Sequence, residues 1–163
     1  TLISEQGEAL NEEHDIVYRD NPGANAPKPQ SLAAPVHFDY NKNVTPDTVL
    51  LFRYSALTFN GHRIHYDRKY VTQIEGYPGL IVHGPLLATL LVELLGEKLP
   101  QYSLDAFEFK AIHPVFDLND FTVCGLNPDA NGKVRLWIQD HEGSLCMEAS
   151  GVVSSRVSKN EPA

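Results

Sequence analysis

Cysteine, methionine, tryptophan and clustered basic residues are all scarce in these 163 residues, and each scarcity narrows the field. The two cysteines, Cys124 and Cys146, come with no other sign of secretion. They read as buried free thiols acting as small hydrophobes, with a disulfide as the alternative. No run of Lys or Arg exceeds two residues and the net charge is −8, which argues against nucleic-acid binding by phosphate neutralisation. An anionic ligand would have to find its cations gathered locally. No apolar run reaches the roughly 18 residues of a membrane-spanning helix. The chain opens "TLISEQGEAL", without Met or a signal-peptide pattern, so Thr1 either follows processing or begins partway through a longer product. What is present, 42% hydrophobic and 21% charged residues, is the composition of an ordinary globular domain.

The chain divides into three stretches. Residues 1–36 read as an N-terminal extension, a strand-like "EEHDIVYRD" followed by the linker-like "NPGANAPKPQSLAAP". Residues 37–156 carry the regular patterns, and 157–163 read as a disordered tail. "VHFDY" alternates as a short strand. A helix is expected from "NVTPDTVLLFRYSALT", with Thr45 as N-cap, Pro46 at its first position and Asp47 in its first turn. Leu50, Leu51, Tyr54 and Leu57 or Thr58 share one face of it, and Asn60-Gly61 is its expected stop. Asp67 can cap a short helix, "RKYVTQI". "PLLATLLVELLGEKL" is apolar nearly all round, the mark of a helix enclosed by other structure. Four strands follow, in "LDAFEFKAIHPVF", "DFTVCGL", "GKVRLWIQD" and "LCMEASGVVSS", separated by turn signals. A buried helix followed by antiparallel strands is an α+β layout, with the sheet wrapped around the helix.

Two short stretches can carry chemistry. "FRYSALTFNGHRIHYD", residues 52–67, holds Asn60, His62 and His65 where the helical pattern breaks. A metal clip would need one or two further ligands beyond the two histidines. Acid/base chemistry at His65, set between Ile64 and Tyr66, is the second reading. A plain helix-to-loop junction is the third. In "GLIVHGPLL", Gly84 opens the apolar helix. Its N–H would point out along the positive end of the helix dipole, where it could hold an oxyanion, and Pro85 has no N–H to offer. A tight turn into the core helix is the competing reading there.

Together, and at their mutual spacing, these two stretches resemble the MaoC-like hydratase/dehydratase family, which has the hotdog fold. The family motif Asp-x-Asn-Pro-(Leu/Ile)-His-x-Asp falls on residues 60–67, with its histidine on His65 and its last Asp on Asp67. The family's "HG" turn falls on His83-Gly84. The wording "FRYSALTFNGHRIHYD" followed by "EGYPGLIVHGPLLATLL" is most similar to the 3-hydroxyacyl-thioester dehydratase and mesaconyl-/itaconyl-CoA hydratase branch. The likeness runs over roughly residues 37–155. Proteins of that branch usually carry two hotdog units, and residues 1–20 resemble the closing strand of the first.

The resemblance implies a lyase that adds or removes water across the 2,3 bond of an enoyl- or 3-hydroxyacyl thioester. His65, Asn60 and Gly84 are then the catalytic residues, with His65 the acid/base and Gly84 the oxyanion donor. His62, Arg63, Val82 and His83 become substrate-binding residues. Arg63 would meet the second carboxylate of a dicarboxylic acyl-CoA, and Arg53, Arg68, Lys69 and Lys110 are further cations for pantetheine phosphates. Asn60 stands where the family has an acid. An amide is no base near pH 7, so either His65 acts alone with Asn60 orienting water, or His62 or Asp67 supplies the second function, or activity is lost. Asp67 also reads as a helix cap.

No metal or cofactor is implied beyond the CoA or carrier-protein pantetheine of the substrate. A homodimer or a hetero-partner hotdog subunit is expected, because a lone unit leaves a sheet edge open. The compartment implied is the cytoplasm, or the mitochondrial matrix in a eukaryote. Competing readings are a hotdog thioesterase, for which Glu93 and Glu97 are the acids on the central helix, and a non-catalytic thioester-binding subunit.

Overall fold

The computed structural model describes residues 1–16 and 31–156. The chain forms two compact units, Thr1–Gln30 and Ser31–Ala163. In the first, β1 (Leu2–Ser4) and β2 (Gly7–Leu10) form an antiparallel hairpin. Gly7 sits at φ 108, a conformation that favours glycine, and the Ser4 hydroxyl accepts from the Gln6 N–H at 3.2 Å. The strand expected at 12–20 is not found at 12–16, where Glu12, Glu13 and Asp15 are poor strand formers. Its remainder, most of the proline-rich linker and the expected tail lie outside the described residues.

The second unit is built on a five-stranded antiparallel sheet in the order β3-β5-β6-β7-β4. The strands are β3 (Tyr40–Val44), β4 (Tyr102–Ala111), β5 (Phe121–Gly125), β6 (Lys133–Gln139) and β7 (Leu145–Ser155). The helices are α1 (Thr48–Leu57), α2 (Arg68–Gln73) and α3 (Gly84–Lys98), with a single 3-10 turn at Arg63–His65. The first strand of this sheet was expected at 36–40 and lies at 40–44 instead. The reason lies in sequence-distant partners: Ala33 bridges Ser144, the Ala34 N–H donates to the Gly143 carbonyl, and pairing with β5 begins only at Tyr40 opposite Gly125.

Helix α1 starts two residues later than its sequence signals. Asp47 is the N-cap, its Oδ1 accepting from the Leu50 N–H at 2.7 Å, while the Thr45 hydroxyl donates to Asp120 at 2.7 Å. The far end also differs. The helix stops at Leu57, and the left-handed residue is Phe59 at φ 53, not Gly61. Leu57 is exposed, and the buried pair on α1 is Leu51 and Ser55, one helical turn apart. Asp67 caps α2 as expected, accepting from the Tyr70 N–H at 3.0 Å.

Helix α3 packs on the sheet through Leu86, Leu87, Ala88, Leu91, Leu94 and Leu95. Full enclosure is not what the fold provides: Thr89, Val92, Glu93, Gly96 and Glu97 are exposed within this unit. Glu93 and Glu97 face Lys42 of β3, with N···O distances of 3.7 and 2.9 Å. The sheet also buries residues on its other face, where Cys124 and Trp137 lie opposite one another and pack with Leu145, Ala34 and Phe38. Both cysteines are free and buried, and burial pushes their thiols up to about 11 for Cys124 and about 12 for Cys146. No helix among the described residues is long and apolar enough to cross a membrane.

Candidate active site

The 3-10 turn that breaks the pattern after α1 brings His65 against the approach to α3. Asn60 starts the turn, its Oδ1 accepting from the His62 N–H at 3.0 Å. The Ile81 N–H then donates to the Ile64 carbonyl at 3.1 Å, locking the two sequence-distant stretches side by side. His65 is 8% exposed, and its Nδ1 lies 2.7 Å from the Ile81 carbonyl oxygen. A carbonyl only accepts, so Nδ1 carries the proton and Nε2 keeps a lone pair. Burial lowers the His65 pKa below the usual imidazole value; the Ile81 hydrogen bond opposes this and His62 adds to it. His65 is therefore neutral at pH 7, with the free nitrogen of a base.

His83, the residue before α3, is fully buried. Its ring stacks on His65 with centroids 3.8 Å apart and planes 17° from parallel. Its Nε2 is 2.8 Å from the Ser55 hydroxyl on α1, and the Tyr54 ring stands 4.8 Å away. Burial, then His65, pushes the His83 pKa down to about 4. His62 meets His65 edge-on at 5.7 Å. Three imidazoles, one serine and one tyrosine thus form a single cluster at the mouth of α3.

Gly84 continues directly from this cluster as the first residue of α3. The helix has no side-chain cap and has Pro85 in its first turn. Gly84 needs glycine neither for backbone nor for packing: its φ is not positive, and a Cβ there would meet nothing within 4 Å. The space a side chain would fill there is open. Gly84→Ala is therefore expected to keep the thermal unfolding midpoint within a few degrees, while a ligand carbonyl loses its close approach and turnover falls about tenfold or more. Equal turnover in the two proteins would mean the open space is not used.

The remaining candidates scatter. Val82 is buried, its N–H donating to the Val115 carbonyl at 2.8 Å. Arg63 is drawn away from His65: it donates to Asp67 Oδ2 at 2.7 and 3.1 Å and lies 4.2 Å from the Tyr70 ring centre. Asp67 is held below the usual carboxylate range by the Tyr70 N–H and by Arg63, so it serves as cap and counter-ion. Arg68 pairs with the buried Asp117, whose Oδ1 also accepts from the Leu80 N–H at 2.8 Å. Arg53 and Lys69 are exposed, and Lys110 lines a 670 Å³ groove on β4, β6 and β7 that includes neither His65 nor Gly84.

His113, Asp140 and Cys146 place ligand atoms within 4.8 Å of one another. However, Asp140 Oδ1 already accepts from two backbone N–H groups, and the Cys146 thiol is held protonated. The residues that sequence reasoning passed over are Ser55, and Tyr54 in any role beyond core packing. The available signal was a serine one turn after Leu51, on the face where apolar residues were expected.

A family profile described as hydroxyacyl-thioester dehydratase type 2 matches residues 1–117. The chain is 45% identical over 142 residues to a mesaconyl-C(4)-CoA hydratase of Chloroflexus aurantiacus, covering 86% of this chain and 49% of that protein. It thus spans about half the length of that curated relative. Among solved structures, an (R)-hydratase from A. caviae involved in PHA biosynthesis superposes with a TM-score of 0.62 at 20% identity. That match covers 74% of this chain and 98% of the other. The ChsH1-ChsH2 complex from Mycobacterium tuberculosis gives a TM-score of 0.57 at 13% identity, covering 79% and 99%. The second unit therefore has the hotdog fold, the sheet and α3 forming its two layers.

Proposed function

Because the chain belongs to the hydroxyacyl-thioester dehydratase type 2 family and shares the fold of solved MaoC-like dehydratases, we propose that it hydrates enoyl thioesters or dehydrates 3-hydroxyacyl thioesters. The observation that carries this reading is His65, buried, neutral and with its Nδ1 proton fixed on the Ile81 carbonyl, beside an uncapped helix start at Gly84. In the hydration direction His65 Nε2 takes a proton from water as the water oxygen bonds to the β-carbon. The π electrons of the 2,3 bond move onto the thioester as an enolate, which the Gly84 N–H would stabilise. The imidazolium then returns its proton to the α-carbon, and the electron pair collapses into the new C–H bond. Every atom of one water is added, no bond to sulfur breaks, and no cofactor is required beyond the pantetheine of the substrate.

Asn60 takes no proton in this scheme. Its Oδ1 is committed to the His62 N–H, and its amide serves as an orienting donor. The substrate class we favour is a C4 or C5 dicarboxylic acyl-CoA such as mesaconyl- or itaconyl-CoA, supported by the name of the 45% identical relative. Arg63, whose Nε and Nη2 are engaged by Asp67, would meet the extra carboxylate through its remaining N–H groups. Glu93 and Glu97, which a thioesterase would recruit, face Lys42 on an exposed helix side, which supports hydration over thioester hydrolysis.

The open side of α3, and the likeness to the solved ChsH1-ChsH2 complex, favour a second hotdog surface, from another copy or a partner subunit, completing the acyl site. The compartment we propose is the cytoplasm, or the mitochondrial matrix in a eukaryote. A second reading, thioester binding without catalysis, is favoured by Asn60 alone. Incubation with mesaconyl-, itaconyl- and crotonyl-CoA, following enoyl absorbance, separates them. Turnover of at least one is expected, and none with any would leave only binding.

A further inference from the structure

The Ser55 hydroxyl, the His83 ring and the His65 ring form a continuous relay, from hydrogen bond at 2.8 Å to stack at 3.8 Å. We propose that Ser55 and His83 are positioning residues for His65: Ser55 fixes the His83 ring, and that ring's face sets the plane and the dry surroundings of the His65 base. The proposal rests on the hydratase reading for its kinetic consequence, but its structural half stands without it.

The chemistry of His83 explains why a histidine, and not an apolar residue, is held there. Its Nδ1 is the one buried side-chain polar atom with no partner among the described residues. A buried N–H left unpaired is costly, whereas an unpaired lone pair is more easily borne. The favourable tautomer therefore has Nε2–H donating to the Ser55 oxygen and Nδ1 unprotonated. That places a neutral, flat ring under His65, and the low pKa of His83 keeps it neutral through the physiological range. When His65 takes its proton, the neutral His83 ring sets no like charge against the imidazolium. If both rings were charged, the stack would instead be repulsive.

Helix α1 delivers Ser55 because Leu51, one turn earlier, is pinned in the core with no exposed surface. α1 thus links the core to the base through a single hydroxyl. Titratable groups near the stacked pair are Tyr54 from α1 and His62 from the same turn as His65. The Arg63–Asp67 ion pair lies two residues away on either side.

Ser55→Ala and Ser55→Thr, made in the full chain, test the relay. Threonine keeps the hydroxyl. With the alanine variant, kcat is expected to fall about 10–100-fold with KM within about twofold, and threonine recovers most of the loss. NMR titration of the His65 ring reads the same relay without turnover. Burial is the largest cause of its lowered pKa, so freeing His83 should admit water and raise the His65 midpoint by about half a pH unit or more. Threonine should return it to the wild-type value.

An unchanged midpoint in Ser55→Ala overturns the proposal, as does an equal loss of kcat in both variants at an unchanged midpoint. If the wild-type protein turns over no enoyl thioester, the hydratase reading fails, while the His65 midpoint still decides the relay. Should Ser55→Ala fail to fold, Ser55→Cys, whose sulfur is a weaker acceptor for the His83 Nε2–H, gives the same comparison.

Discussion

His65→Ala is expected to lower kcat/KM by about 10²–10⁴-fold, the range that a positioned general base supplies. The fold should survive. The imidazole contributes one hydrogen bond to the Ile81 carbonyl and one stacked face to His83. Losing these should destabilise by about 1–3 kcal/mol. The same residue should give the proposed activity its pH dependence. His65 acts as a base only when neutral, and its folded pKa lies below the ordinary imidazole value. The proposed activity is therefore expected at pH 7 and should fall as acid is added through that lowered pKa, with the acid limb of kcat/KM below about pH 6.5. His65→Ala should abolish this limb in whatever residual activity remains. Full turnover in the variant would remove His65 from the chemistry.

Leu91→Ala should do the opposite. Leu91 has no exposed surface and lies at the centre of α3 where that helix meets the sheet. Truncating such a leucine costs about 2–5 kcal/mol through lost transfer energy and the cavity left behind. For a chain of this size that is a fall of roughly 5–15 °C in the unfolding midpoint. Turnover per folded molecule should hold below the new midpoint, since Leu91 lies about two helical turns beyond Gly84 and is buried in the core cluster, away from the His65 ring. Thermal denaturation followed by circular dichroism, with rates measured well below the transition, checks both halves. Together the two variants separate a residue that reacts from one that holds the frame.

Much of this was legible from the residues. The apolar run of α3, the four later strands and the Asp67 cap were all signalled by periodicity and capping chemistry, because burial and local hydrogen bonding act in the same direction there. What escaped was set by distant partners. Thr45 looks like the cap of α1, but its hydroxyl is engaged by Asp120, seventy-five residues away, and the cap passes to Asp47. "VHFDY" alternates like a strand, yet the sheet starts at its last residue because pairing with β5 fixes the register.

The site followed the same rule. His65 and Gly84 could be marked from short motifs. The role of His83 as a stacked ring, and of Ser55 as its anchor, needed the contact between two stretches that no local pattern encodes. Arg63 illustrates the converse. It sits beside His65 in sequence, but Asp67, four residues on, claims it at 2.7 Å.

The most direct test of water addition at a thioester-linked double bond is the fate of the oxygen atom. Mesaconyl-CoA, or another enoyl-CoA that the protein turns over, is incubated in water enriched in oxygen-18 and the products are read by mass spectrometry. The expected product is an intact hydroxyacyl-CoA carrying one labelled oxygen on its acyl chain, formed by the wild-type protein and lost in His65→Ala. Free CoA with the label in a released carboxylate, or label on the acyl chain at the same rate without His65, would contradict it.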